Sequence, residues 1–166
     1  MSADEIRISR STPSFRFDVA SPAIPVASSG EPQPVSSEAK EFVDRAVGDS
    51  EQPVVMFAYE WCEFCWSARR LFARCSIAYR TIDFDSAEYQ KDDWGDKVLA
   101  ALMARTSLTT VPQIFVGGEF VGGCTELFDA YNEGRLQKLL EGANASFDRG
   151  VEVDPYTFLP TWLHPR

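Results

Sequence analysis

The run Val54-Val55-Met56-Phe57-Ala58 is short, unbroken and rich in β-prone side chains, and a Cys-x-x-Cys, Cys62-Glu63-Phe64-Cys65, follows it almost at once. A strand with no polar alternation is buried on both faces, so it belongs to the interior of a sheet covered by helices on either side. From about residue 63 to 75 the apolar residues recur at helical spacing, with Cys65, Ala68, Phe72 and Cys75 along one face. Strand, cysteine pair and helix in this order confine the chain to an α/β architecture, with the two cysteines at the strand-to-helix junction.

The remaining punctuation extends that frame. Ser36 or Ser37 can cap a helix carrying Phe42, Val43, Ala46 and Val47, and Gly48 ends it. A second strand is expected over 78–84. After an acidic loop around Asp92 and Asp93, residues Val98, Leu99, Leu102 and Met103 mark another amphipathic helix. Thr110-Val111-Pro112 then leads into the strand Gln113-Ile114-Phe115-Val116. Gly117-Gly118 supplies a tight hairpin turn into Glu119-Phe120-Val121. Beyond Gly122-Gly123 a helix begins near Cys124 or Thr125, and Leu136, Leu139 and Leu140 mark a short final one. The reading is a four-stranded mixed sheet flanked by helices.

Three segments follow from this. Residues 1–35 hold Pro13, Pro22, Pro25, Pro32 and Pro34 among Ser and Ala and are read as an extended or disordered arm. Residues 36–143 form the folded domain. Residues 144–166 carry Phe147, Tyr156, Phe158 and Trp162, too apolar for a free linker, and are expected to pack back on the domain. A partner-docking tail is the other reading.

The net charge of -9 repels phosphate backbones and anionic membrane surfaces, and no Lys/Arg run offsets it, so neither nucleic acid nor membrane is an expected partner. No hydrophobic signal-peptide centre occurs in the first thirty residues, which places the protein in the cytoplasm as an expectation; Arg7, Arg10 and Arg16 suit a transit peptide, but Asp4 and Glu5 do not. In that setting four cysteines, two of them spaced Cys-x-x-Cys, point to redox chemistry or metal binding ahead of structural bridges. A structural zinc site needs about four ligands, and Cys75, Cys124 and His164 are the only further thiol or imidazole candidates, none in a second paired motif.

A cysteine at a helix N-terminus faces unpaired N–H groups and the positive end of the helix dipole, which favours its thiolate. Cys62 is therefore the candidate nucleophile. Cys65, one turn deeper on the same face, is the candidate resolving thiol that closes an internal disulfide. Cys75 lies on the apolar helix face and is read as core. Cys124 is either a substrate-side thiol or a third redox residue. His164, remote from the motif, is read as a surface residue. Trp61, Phe64 and Trp66 can form a hydrophobic rim for docking protein disulfides, with at least one of them packing internally.

Cys62-Glu63-Phe64-Cys65 after a strand, Thr110-Val111-Pro112 before the next strand pair, and Gly122-Gly123-Cys124-Thr125-Glu126 opening a helix together resemble the dithiol glutaredoxins, of thioredoxin-like fold, over about residues 53–141. The resemblance implies a thiol–disulfide oxidoreductase that reduces protein disulfides or protein–glutathione mixed disulfides, with glutathione as electron donor and no bound cofactor required. It implies that Pro112 is cis and lies beside the active-site cysteines, and that the main chain of Val111 pairs with the cysteine of glutathione. It also implies that Gly123, Cys124 and Thr125 hold the γ-glutamyl carboxylate, with Tyr59 and Thr110 completing the glutathione contacts.

This chain departs from the family pattern in several places. Tyr59 stands where a lysine is common, Trp61 replaces a small residue, Glu63 replaces the usual proline, and Thr109 and Leu99 stand at positions that often carry a basic or amide clamp. Glu60 and Glu63 also place negative charge beside Cys62. Weaker glutathione binding is expected. Two alternatives stay open. Some glutaredoxins dimerise around a [2Fe–2S] cluster held by the first active-site cysteine, here Cys62, and glutathione; a cluster-free protein would be a monomer. The other is a redox module docking on a partner enzyme.

Overall fold

The computed structural model describes residues 34–163. Residues 1–33 of the arm and His164 lie outside the described residues.

Ser36 is the N-cap of α1 (Ser37–Val47), its Oγ accepting the N–H of Ala39 at 3.4 Å, and Gly48 is the C-cap. Ala39, Val43, Ala46 and Val47 form its buried stripe. β1 (Val54–Ala58) is buried at every position. It lies in the interior of a four-stranded sheet of order β2-β1-β3-β4, comprising β2 (Arg80–Asp83), β3 (Gln113–Val116) and β4 (Glu119–Gly122). β2 runs parallel to β1, with Ala58 opposite Asp83. β3 runs antiparallel, with Phe57 opposite Gln113. A two-residue turn, Gly117 and Gly118 both at positive φ, joins β3 to β4.

The two faces of β1 explain its lack of alternation. Val54, Met56 and Ala58 join one core with α2 (Glu63–Arg74), α5 (Cys124–Asn132) and α6 (Arg135–Gly142). Val55 and Phe57 join a second core with α1 and α4 (Trp94–Thr106).

Two expectations are revised. The second strand is shorter than 78–84 because α2 ends in a Schellman turn: Ser76 adopts φ 54, its N–H donates to Ala73 O, and Ile77 N–H donates to Phe72 O at 2.9 Å. Residues 77–79 complete that turn before β2 begins. The acidic loop is also not irregular throughout. It holds α3 (Ala87–Gln90) and a 3-10 turn, Lys91–Asp93, with Asp92 and Asp93 both at φ 55. Gly95 lets α4 start hard against the end of β2 and α3, since a Cβ there would lie 2.7 Å from Phe84 O and 3.0 Å from Tyr89 O.

Beneath α2, Arg69 pairs with Asp83 at 2.5 Å, and Thr81 Oγ1 donates to the other Asp83 carboxylate oxygen at 3.1 Å. Both charged side chains are almost covered, 12% and 11% exposed. From residue 145 the chain runs back over α2 and α5. Asp148 N–H donates to Cys75 O, Tyr131 Oη to Val151 O, and Tyr156 packs edge-on against Phe128 while its hydroxyl meets Asp129. Trp162, at the far end, donates its indole N–H to Glu63 Oε2 at 2.6 Å.

Candidate active site

Three junctions meet at one end of the sheet: the turn from β1 into α2, the loop entering β3, and the turn from β4 into α5. β1 ends at Ala58, and the turn after it is held by Asp85, whose carboxylate accepts the N–H of Glu60 at 2.8 and 3.1 Å. Cys62 follows as the N-cap of α2, its extended backbone (φ -77, ψ 117) turning Sγ back to accept the N–H of Cys65 at 3.4 Å. A sulfur here does what a serine or aspartate oxygen does in an ordinary cap. Cys62 keeps 8% exposure, whereas Cys65 keeps none. Burial first, and then its hydrogen bond to Cys62, push the Cys65 thiol up well above its ordinary value, so it stays protonated while Cys62 is reduced.

The register of β3 on β1 brings the second junction alongside. Gln113 opposes Phe57, so the residues preceding Gln113 flank the end of β1. The Val111–Pro112 peptide bond is cis; Pro112 is buried and Val111 half-buried between the two cores. Thr110 is exposed, and its carbonyl accepts the Gln113 side-chain amide at 3.0 Å. Gln113 itself is 1% exposed, and its amide also reaches Leu108 O while its oxygen accepts from Thr106. This fully satisfied amide pins the 106–112 loop that delivers Val111 and Pro112. Sequence reading passed over Gln113, although a lone polar residue at the head of an apolar strand is a recognisable sign of a buried hydrogen-bonding post.

The third junction is the start of α5. Gly122 has φ 122, and Glu126 Cβ lies 2.7 Å from where a Cβ would stand there, so only glycine fits. Gly123, whose virtual Cβ lies 3.4 Å from Pro112 O, is the N-cap. Its N–H donates to Glu126 Oε2 at 3.0 Å, and Thr125 Oγ1 donates to the same oxygen at 3.2 Å. The N–H groups of Cys124 and Thr125 remain at the helix start, where an anion is favoured. Cys124 is buried, and burial, then the charges of Cys62 and Glu126, push its thiol up to about 12. It is a neutral wall of the site at neutral pH. Cys62, Cys65 and Cys124 share one core, with Val111 packed against it. Cys75 is the C-cap of α2, about 20 Å along the helix from Cys62, and lies outside the site.

Tyr59 stacks on Trp61 with ring centroids 5.3 Å apart and meets Phe84 edge-on. Burial raises its phenol, and Asp96 and Asp85 raise it further, so its surroundings are negatively charged. All four cysteines are free thiols, and among the described residues no group of three or more His, Cys, Asp or Glu side chains could hold a metal ion. Cys62 is the most exposed thiol of this site, at 8% against 5% for Cys124 and none for Cys65, and no observation favours an iron–sulfur cluster there.

A thiol capping the helix that follows an interior strand, beside a cis-proline leading into an antiparallel hairpin, defines a thiol–disulfide oxidoreductase of thioredoxin-like fold. The glutaredoxin family profile matches residues 54–121. A glutaredoxin of Solanum lycopersicum is 34% identical over 109 residues, 66% of this chain and 91% of the relative. Glutaredoxin-2, mitochondrial, of Pongo abelii is 32% identical over 137 residues, 80% of this chain and 82% of the relative. A solved buckwheat glutaredoxin–glutathione complex has a TM-score of 0.58 at 31% identity, covering 65% of this chain and 92% of that one. The chain belongs to the glutaredoxin family.

Proposed function

We propose that the protein reduces protein disulfides and protein–glutathione mixed disulfides, with glutathione as the electron donor, Cys62 as nucleophile and Cys65 as resolving thiol. The asymmetry of the pair carries this reading: Cys62 Sγ caps the helix and reaches the surface, while Cys65 is fully enclosed one turn below and protonated. On a glutathionylated protein, the Cys62 thiolate attacks the glutathionyl sulfur, and the protein leaves as a thiolate that takes a proton from water. A glutathione thiolate then attacks the sulfur bound to Cys62, forming oxidised glutathione and returning Cys62. On a protein disulfide, Cys62 opens the bond and Cys65, giving up its proton, attacks Cys62 Sγ. The dithiol is released, and two glutathiones reduce the internal disulfide.

Two further features support glutathione as the donor. Its γ-glutamyl carboxylate fits the N–H groups of Cys124 and Thr125, and its cysteine fits the exposed side of the Val111 main chain beside Pro112. The buckwheat relative was solved with glutathione bound. The test is turnover of a glutathionylated peptide and of a protein disulfide by the purified protein, with glutathione recycled by its reductase. Turnover of both supports the reading; turnover only with a thioredoxin-type dithiol donor overturns the choice of glutathione.

The negative surroundings of Tyr59 bear on the donor's affinity. A lysine at this position would oppose Asp96 and Asp85 and offer a charge-assisted hydrogen bond to the glycyl carboxylate, where the phenol offers one neutral bond. Tyr59→Lys is expected to lower the KM for glutathione by about tenfold with kcat little changed. An unchanged or raised KM would place position 59 away from that carboxylate.

A further inference from the structure

Among the described residues four large apolar side chains are exposed, and three of them gather at the start of α2: Trp61 (73%), Trp66 (50%) and Trp162 (64%). Each is fixed in place. Trp61 lies on Tyr59, Trp66 donates its indole N–H to Glu60 O at 2.6 Å, and Trp162 donates to Glu63 Oε2 and meets Phe64 edge-on. With the ring N–H groups of Trp66 and Trp162 engaged, these rings offer a partner faces and edges at little entropic cost. Trp66 and Trp162 both line a groove of about 340 Å³ that also takes in Glu63, Ser67, Arg70 and Leu159.

The charge of this end is one-sided. Glu60 and Glu63 are exposed beside Cys62, Asp85 and Asp96 act on Tyr59, and Glu126 stands across the cleft at the start of α5. Of the cations nearby, Arg69 is committed to Asp83, and Arg70 alone lines the groove. An indole face attracts a cation, as Trp66 already does with the Arg69 guanidinium 5.0 Å from its ring centroid. Glutathione, with net negative charge, gains nothing from such a rim. A cationic chain does.

We propose that Trp61, Trp66 and Trp162, with Glu60 and Glu63, form a docking rim for a lysine- or arginine-bearing polypeptide segment flanking the disulfide that Cys62 attacks. The inference rests on the function proposed above and names its protein substrates: disulfides and mixed disulfides in basic sequence surroundings. The rim acts on encounter and on residence of the protein half, while the chemistry at sulfur is unchanged.

The experiment compares two glutathionylated peptides, identical except for lysines or glutamates around the cysteine, with glutathionylated free cysteine as a third substrate. The full-length chain is expected to show kcat/KM at least about tenfold higher for the lysine peptide at low salt, with the preference shrinking as salt is raised. Trp162→Ala and the double variant Glu60→Gln/Glu63→Gln should each reduce the preference, and Trp162→Ala should leave turnover of glutathionylated cysteine intact. Equal kcat/KM for the two peptides, or a preference indifferent to salt, overturns the rim while the function stands. Failure to turn over even glutathionylated cysteine overturns the function, and the rim with it.

Discussion

Cys62→Ser is expected to drop every thiol-transfer activity to the uncatalysed rate, while Cys65→Ser keeps turnover of glutathionylated substrates and loses the reduction of protein disulfides. The reason lies in the unequal placement of the two sulfurs. Cys62 has the helix-cap position and the greatest exposure of the site's thiols, and its serine replacement at neutral pH is no nucleophile toward sulfur. Neither Cys65 nor Cys124 can substitute, because both are enclosed and burial pushes both thiols up, Cys124 to about 12. Cys65 is needed only where a covalent protein adduct must be resolved from within. In deglutathionylation, free glutathione resolves the intermediate instead. Turnover of both substrate types by purified variants with intact circular dichroism measures this. An active Cys62→Ser together with a dead Cys65→Ser would exchange the two roles.

The largest loss of stability is expected from Arg69→Met. The guanidinium and the Asp83 carboxylate are nearly sealed between α2 and β2, and the substitution leaves that carboxylate with the Thr81 hydroxyl as its only side-chain donor. Removing one partner of a buried pair typically costs about 3–5 kcal/mol, whereas replacing both by neutral groups costs much less. Arg69→Met/Asp83→Asn should therefore recover most of the loss. Urea unfolding at neutral pH gives both values, and a single-variant loss below about 1 kcal/mol would mean that water reaches Asp83 freely. Arg69 Nε has no hydrogen-bond partner, so the pair is held by charge and by one end of the guanidinium.

The parts of this fold readable in the sequence are those specified by neighbours in the chain. Val54–Ala58 is unbroken because both its faces are covered; Cys62 is set by its place between that strand and a periodic helix; Gly117-Gly118 is set by the positive φ at both turn positions. Helix ends were harder where Ser76 and Asn144, not glycine, take the left-handed position, since nothing in composition marks them. The segment from Ala87 to Asp93 hid a helix because its acids read as solvent loop. Contacts between distant residues left no local trace: Arg69 with Asp83, and Trp162 on Glu63. The site was legible in its thiols, its family motifs and the neighbouring Trp61, Trp66, Glu60 and Glu63, and opaque in the arrival of Trp162 beside them from the far end of the chain.

The two halves of the site come from different stretches of chain. Cys62 and Cys65 belong to β1 and α2, whose partner β2 follows directly, whereas Val111, Pro112 and the start of α5 arrive with β3 and β4. A fluctuation that lifts the hairpin from β1 would dissolve the side of the site formed by Val111, Pro112 and the start of α5, and leave the two sulfurs still one helical turn apart. Such a partly opened molecule could still cycle between dithiol and disulfide while having lost the means to choose what it reacts with. In such a state selectivity would be lost before reactivity, and the antiparallel β1–β3 seam is where they would part.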